Sequence, residues 1–145
     1  MANLGTLNLL TLLNFMLRLS KKTDYAIVAV SHLQKQRQPA SAREIAAQYG
    51  LPAQLVANVL KTLSSNGILQ SKRGAAGGYE LSKEPDRITV GDVIRAIEGP
   101  WQFSDCSSIE KNCQAAGNCP AKTTVISINK KIESFMDNLT LTDIL

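Results

Sequence analysis

The fold class predicted by this 145-residue sequence is mostly α with a small β-wing: a winged helix-turn-helix followed by a long C-terminal helix. Three observations predict it. Two short amphipathic segments meet at a glycine, a basic glycine-rich turn separates two short strand-like runs, and one apolar stripe at 3-4-3-4 spacing lies near the end of the chain.

The elements follow in order. From Ser20 the apolar residues Ala26, Ile27, Val30 and Leu33 recur on one face as far as a break at Gln38-Pro39, which predicts a first helix. Ser41-Ala42-Arg43-Glu44 has the pattern of a capping box, in which hydroxyl and carboxylate each accept from the other residue's backbone amide. A short helix over 42–49 follows and stops at Gly50. Pro52 suits the first turn of another helix running to about Ser65, and Asn66-Gly67 supplies its left-handed stop.

The apolar residues Val56, Val59, Leu60 and Leu63 form one stripe of that helix, which turns Gln54, Asn58, Lys61 and Ser65 onto the opposite face. Side chains in such a row fit a major groove: Gln and Asn pair with adenine edges, and Lys reaches guanine or a phosphate. Every surface helix has a polar stripe, so the stripe alone does not choose DNA. The next segment does. Residues 68–71 and 79–81 read as strands around Lys72, Arg73 and Gly74-Ala75-Ala76-Gly77-Gly78, a β-wing with a basic shoulder. The glycines allow a tight turn and close approach to a phosphate chain, and Arg73 suits a narrow minor groove.

Thr89-Val90-Gly91-Asp92 opens a further helix through Val93, Ile94 and Ile97, ending at Glu98-Gly99-Pro100. Beyond it lie all three cysteines, Cys106, Cys113 and Cys119, in a C-x6-C-x5-C loop that contains Gly117 and Pro120 and no hydrophobic run. Three thiolates on such a backbone suit an inorganic centre, and the spacing differs from the paired C-x2-C knuckles of structural zinc. An iron–sulfur cluster, zinc and a cofactor-free thiol sensor all stay open on spacing alone. After the loop, Val125, Ile128, Ile132, Phe135 and Leu139 form the seam of a helix that packs on another helix. That seam either folds back on its own domain or joins two copies, and a two-fold dimer suits a DNA reader better because paired half-sites multiply affinity.

Charge agrees with this division. Residues 18–87 hold eleven Lys/Arg against five Asp/Glu, and residues 88–145 hold five against seven, so the winged segment carries the positive balance. The odd cysteine count and the lack of a secretory pattern point to a reducing cytoplasm. The uncharged, leucine-rich stretch up to Leu17 is diluted by Asn3, Gly5, Thr6, Asn8, Thr11 and Asn14, so no membrane span is expected there. It reads as an accessory helix or as an upstream extension ahead of a start at Met16. An enzyme is disfavoured: there is no phosphate-binding glycine loop after a strand, one histidine only, and no zinc-hydrolase motif, so no small-molecule substrate is expected. The expected organisation is an apolar extension over 1–15, a DNA-binding domain over 16–99, a cysteine loop over 100–122, and a dimerisation helix with its tail over 123–145.

Five stretches match a known pattern in order. They are Met16-Leu17-Arg18-Leu19-Ser20-Lys21-Lys22-Thr23-Asp24-Tyr25-Ala26, the helix over 52–63, Lys72-Arg73-Gly74-x-x-Gly77-Gly78-Tyr79, Ile88-x-Val90-x-Asp92-Val93-Ile94-x-x-Ile97-Glu98-Gly99, and the cysteine loop. From Met16 to about Leu139 the chain resembles the Rrf-two family of winged-helix regulators, of the IscR/NsrR type, and its opening is most similar to the branch that regulates the SUF iron–sulfur assembly system. The resemblance implies a homodimeric regulator, read as a repressor, that binds promoter operators in double-stranded DNA. It also implies that the three cysteines hold an iron–sulfur cluster reporting iron, oxidant or nitric-oxide stress, with [2Fe–2S] favoured over [4Fe–4S]. The fourth ligand varies in the family. One branch carries a histidine three residues after the last cysteine, where this chain has Lys122, and an ammonium is no ligand. Another uses an aspartate early in the first helix, reaching across the dimer, and Asp24 occupies the matching place. A first-turn aspartate is also favoured by the helix dipole alone. His32, two turns on, is expected to be structural.

Overall fold

The computed structural model describes residues 19–104, 113–115 and 117–144. Helix α1 (Lys21–Gln36) opens on Ser20, whose Oγ accepts from the Thr23 amide at 3.3 Å. It closes on Arg37, a non-glycine residue in the left-handed conformation at φ 51°, just ahead of the expected break. The capping box at Ser41 is present in full. The Glu44 amide donates to Ser41 Oγ at 3.2 Å and the Ser41 amide to Glu44 Oε2 at 2.6 Å, which starts α2 (Ala42–Tyr49) and holds the Glu44 carboxyl below the usual carboxylate range. Gly50 ends α2 at φ 64°. Pro52 sits at the cap of α3 (Ala53–Ser65) rather than inside its first turn, and Gly67, at φ 75°, makes the left-handed stop while Asn66 does not.

Strands β1 (Leu69–Lys72) and β2 (Gly78–Leu81) pair antiparallel with Leu69 opposite Leu81 and Lys72 opposite Gly78. Ala40 adds a one-residue third edge: its amide donates to Tyr79 O at 3.0 Å and its carbonyl accepts from the Tyr79 amide at 2.8 Å. The wing is thereby fastened to the turn ahead of α2. After a short 3-10 turn (Pro85–Arg87), Thr89 and Asp92 form a second capping box, both bonds at 3.0 Å, opening α4 (Val90–Glu98). Helix α5 (Ala121–Asn138) and a final turn, α6 (Leu141–Ile144), complete the described fold.

The core lies between α1, α2, α3 and α4, with Val30, Ile45, Val56, Leu60, Leu63 and Val93 essentially without exposed surface. Burial of each such side chain contributes about 1.5–3 kcal/mol. Leu141 belongs to the same cluster at 1% exposed, although the sequence reading placed it in the dimerisation tail. The chain returns to the winged domain through two backbone bonds, Val90 N to Leu139 O at 2.8 Å and Leu141 N to Ile88 O at 2.9 Å, which together make the Thr89–Thr140 antiparallel bridge. Leu139 therefore lies past the end of α5, with φ −95° and ψ 103°, and not on the helix itself.

The start of α1 and the end of α4 are joined at Glu98. The Thr23 hydroxyl, fully buried, donates to Glu98 Oε1, and the Ser20 amide donates to the same oxygen at 3.1 Å. Hydrogen bonds from Ser20 and Thr23 hold this carboxyl below its usual range. Thr23→Val should cost about 1 kcal/mol in urea denaturation at neutral pH. A depressed carboxyl contributes its stability above the unfolded value, about 4.3 for glutamate, and loses it as pH falls through the lower folded value. The Thr23→Val deficit should therefore shrink on acidification, and a deficit that does not change with pH would mean that Thr23 acts through packing alone.

Candidate nucleic-acid interface and cysteine loop

Burial of Val56, Val59, Leu60 and Leu63 leaves Gln54, Asn58, Lys61 and Ser65 exposed on the outer face of α3. Gln54 Nε2 donates to Asn58 Oδ1 at 3.3 Å, one helical turn away. Among the described residues Gln54 Oε1 and Asn58 Nδ2 have no partner, and that pairing of one acceptor with one donor group is what an adenine edge requires. Ser65 Oγ instead donates back to Lys61 O at 2.9 Å, while the Lys61 ammonium enters no ion pair among the described residues.

The two basic residues of the wing differ. Lys72 Nζ lies 3.2 Å from Glu80 Oε1, an oxygen that also accepts from Gln70 Nε2 at 2.5 Å; the Gln70 bond foremost lowers the Glu80 carboxyl and keeps it ionised beside the lysine. Arg73 is exposed and makes no ion pair among the described residues. The glycines also divide by role. At Gly74, φ 113° excludes most side chains although nothing lies within 4 Å of where a Cβ would stand. At Gly78 a Cβ would stand 2.5 Å from both the C and the O of Ala40, so close approach to the protein's own backbone accounts for this glycine. Gly77 likewise faces Lys72 O at 2.4 Å. The expected tight turn is present, with positive φ at Gly74 and Gly78.

Cys113 is exposed and Cys119 half-buried just ahead of α5, both as free thiols. Cys106 lies outside the described residues, as do Arg18 and the apolar extension. Among the described residues no three His, Cys, Asp or Glu side chains converge on one metal-sized site. Asp24 stands exposed in the first turn of α1, with Lys21 Nζ 3.5 Å from its Oδ2. His32 is buried, its Nδ1 3.1 Å from Tyr49 OH and the rings edge to face, a structural role as expected.

Helix α5 has two distinct faces. One packs on α4: Glu133 and Met136 adjoin Gly91, Ile94 and Trp101, and Asp137 Oδ1 accepts from Arg95 Nη1 at 2.5 Å. The other carries Phe135, 63% exposed, and Ile128, 36% exposed, with Val125 and Ile132 half-buried beside them. Sequence reasoning missed Gly91, Arg95 and Asp137. The signal was present in Gly91, since a glycine inside an otherwise good helix marks a close helix–helix approach; here Asp137 Oδ1 stands 2.1 Å and the Met136 carbonyl carbon 3.2 Å from a Cβ placed there.

Among the described residues no helix is long and apolar enough to cross a membrane. Residues 19–145 match the Rrf2 family, whose description is "Iron-dependent Transcriptional regulator". The HTH-type transcriptional regulator IscR of Yersinia pseudotuberculosis is 31% identical over 130 residues, 88% of this chain and 79% of that protein. Its counterpart from Serratia proteamaculans is 30% identical over the same shares. Among solved structures, CymR, the global cysteine regulator of B. subtilis, superposes with TM-score 0.70 at 32% identity over 89% of this chain and 96% of its own. T. potens IscR does so with TM-score 0.69 at 32% identity over 88% and 85%. With the winged-helix architecture and nearly the whole described chain matched, the protein belongs to the Rrf2 family of DNA-binding transcriptional regulators and is not an enzyme.

Proposed function

We propose that this regulator senses iron–sulfur status, or oxidative or nitrosative stress, through an iron–sulfur cluster, and that it represses promoters of iron–sulfur assembly genes as a homodimer. One observation carries the reading: every cysteine lies in the single segment that joins α4, packed on the reading helix, to α5 with its exposed apolar stripe. The donor chemistry fits. Cys113 and Cys119 are free thiols, and soft thiolates are the ordinary ligands of such a cluster, which takes four in all. Cys106, Cys113 and Cys119 would hold it, with Asp24 supplied across the dimer as the fourth ligand and [2Fe–2S] favoured over [4Fe–4S]. When bound, the cluster supplies redox and nitric-oxide reactivity that protein side chains lack. Val125, Ile128, Ile132 and Phe135 would form the two-fold seam, with Leu139 at its end, and so fix the spacing of two α3 helices over paired half-sites.

Anaerobic purification with iron, acid-labile sulfide and absorption measurements tests the cofactor. Protein without iron or sulfide would overturn it. A second reading, a metal-free thiol sensor, is supported by the exposure of Cys113 and by the likeness to a cysteine regulator, and it predicts colourless protein whose DNA affinity still responds to oxidants. Asp24→Ala addresses the fourth ligand separately: a shortened cluster lifetime or altered spectrum is expected, and identical values would remove Asp24 from the site.

For the DNA contacts, Arg73→Ala should weaken binding across operator sequences and reduce the salt slope by about 1. Lys72→Ala should cost less, because Glu80 already neutralises the lysine. Gln54 and Asn58 should carry sequence preference instead. Anisotropy titrations over a range of salt concentrations measure both effects, and an Arg73→Ala protein with unchanged affinity and slope would take the wing out of the interface.

A further inference from the structure

A cavity whose lining contains neither Cys113 nor Cys119 lies on the winged domain where four elements meet. The C-terminal end of α3 supplies Asn66, the exit of the wing supplies Lys83, the 3-10 turn supplies Arg87, and α4 supplies Asp92 and Arg95, around about 250 Å³ floored by the buried Ile88. Three cations and one carboxylate face it. The carboxylate is already committed: Asp92 Oδ2 accepts from the Thr89 amide at 3.0 Å, and Asp92 Oδ1 lies 3.0 Å from Arg95 Nη2. Arg95 spends its other terminal nitrogen on Asp137 of α5. Lys83 and Arg87 enter no ion pair among the described residues. The pocket thus keeps an uncompensated pair of cations, one a point charge and one a planar fork that matches carboxylate or phosphate oxygens bidentately.

We propose that this cavity binds a small metabolite bearing carboxylate or phosphate groups, held by Lys83 and Arg87, as an effector site separate from the cysteine loop. Its size suits a compact organic acid or phosphorylated compound rather than a nucleotide or peptide. The wing tip with Arg73 and the outer face of α3 do not contribute to its lining. Its walls give it a route to regulation. Asn66 closes the reading helix, Lys83 follows β2 of the wing, and Arg95 is the residue that ties α4 to α5. An anion that also drew Arg95 from Asp137 would change how α5 sits on the DNA-binding domain, and such an anion would bind with different affinity to the DNA-bound and free forms.

The test uses intact wild-type protein, the double variant Lys83→Gln/Arg87→Gln, and Arg73→Ala. Each is titrated by calorimetry with pyrophosphate and with citrate at constant ionic strength, and each is assayed for DNA binding over a salt series without added anion. Lys83 and Arg87 are exposed, so their replacement leaves the core intact. The expected result is saturable binding of at least one anion, weakened tenfold or more in the double variant, unchanged in Arg73→Ala, with the double variant's DNA affinity and salt slope as in wild type. No saturable binding of either anion, or binding indifferent to the double substitution, overturns the proposal. So does a double variant that loses DNA affinity together with about 2 in salt slope, because Lys83 and Arg87 would then be contacting the phosphate backbone of the duplex. None of these outcomes depends on iron, so failure here leaves the cluster reading untouched.

Discussion

Cys119→Ser protein, isolated without oxygen, should contain neither iron nor acid-labile sulfide and should bind DNA with an affinity that no longer depends on oxidant exposure. The expected effect is complete loss of the cofactor rather than a graded change, because removing one thiolate from a three-cysteine set leaves two, too few to hold a cluster. The substitution is otherwise mild. Cys119 is half-buried, outside the hydrophobic core and ahead of α5, and replacements at such positions usually alter stability by less than about 0.5 kcal/mol. An unfolding curve that matches wild type would therefore separate loss of the centre from loss of the fold. A regulatory step needs only about 1.4 kcal/mol between the loaded and empty forms to change occupancy of DNA tenfold. Wild-type levels of iron and sulfide in Cys119→Ser would exclude that cysteine from the site. Zinc in place of iron, with no sulfide in wild type, would convert the loop to a structural metal site.

The second large effect is expected at Gly78. A side chain there would meet the backbone C and O of Ala40 at 2.5 Å and the Ser41 amide at 2.8 Å, and none of these atoms can rotate away. Gly78→Val should break the Ala40–Tyr79 bridge, cost about 1–3 kcal/mol in denaturant unfolding, and lower DNA affinity at least tenfold, about 1.4 kcal/mol, by freeing the wing from α2. Gly74→Ala is the informative comparison. Its φ of 113° is also unfavourable for alanine, but no atom lies within 4 Å of the new methyl group, so its cost is local strain and the wing stays docked. If Gly78→Val bound DNA as wild type does, attachment of the wing through Ala40 would have no part in recognition.

Features that depend on a few consecutive residues were legible in the sequence. Both capping residues, Ser41 and Thr89, the glycine stops at Gly50 and Gly67, and the division of α3 into a buried and an exposed stripe follow from local pattern, and the structure has all of them. The fold class followed from their order. What escaped were pairings between residues far apart in the chain: Thr23 with Glu98, Arg95 with Asp137, and Leu141 with the core formed by residues before position 95. No periodicity encodes such contacts, since they depend on how the elements cross. At Gly78 the sequence shows the absence of a side chain and not that the backbone of Ala40 stands where one would be. Within the candidate site, the row on α3 and Arg73 are exposed, as the pattern predicts, and Arg73 enters no ion pair among the described residues. Lys72 does not act alone, because Glu80 sits beside it across the hairpin.

Leu141 gives α5 a mechanical property that its length alone would not. A terminal helix fastened at one end is a hinged flap, and a disturbance near its start would dissipate as a swing. Here Arg95 grips the helix near its far end, and three residues later the chain is stitched to Ile88 and Val90 and plugged into the hydrophobic interior. Both anchors act on the C-terminal end of the helix, which is therefore clamped there rather than hinged. A rotation of α5 about its own axis then pulls on the Arg95–Asp137 pair and on the strap between Ile88 and Thr140 together.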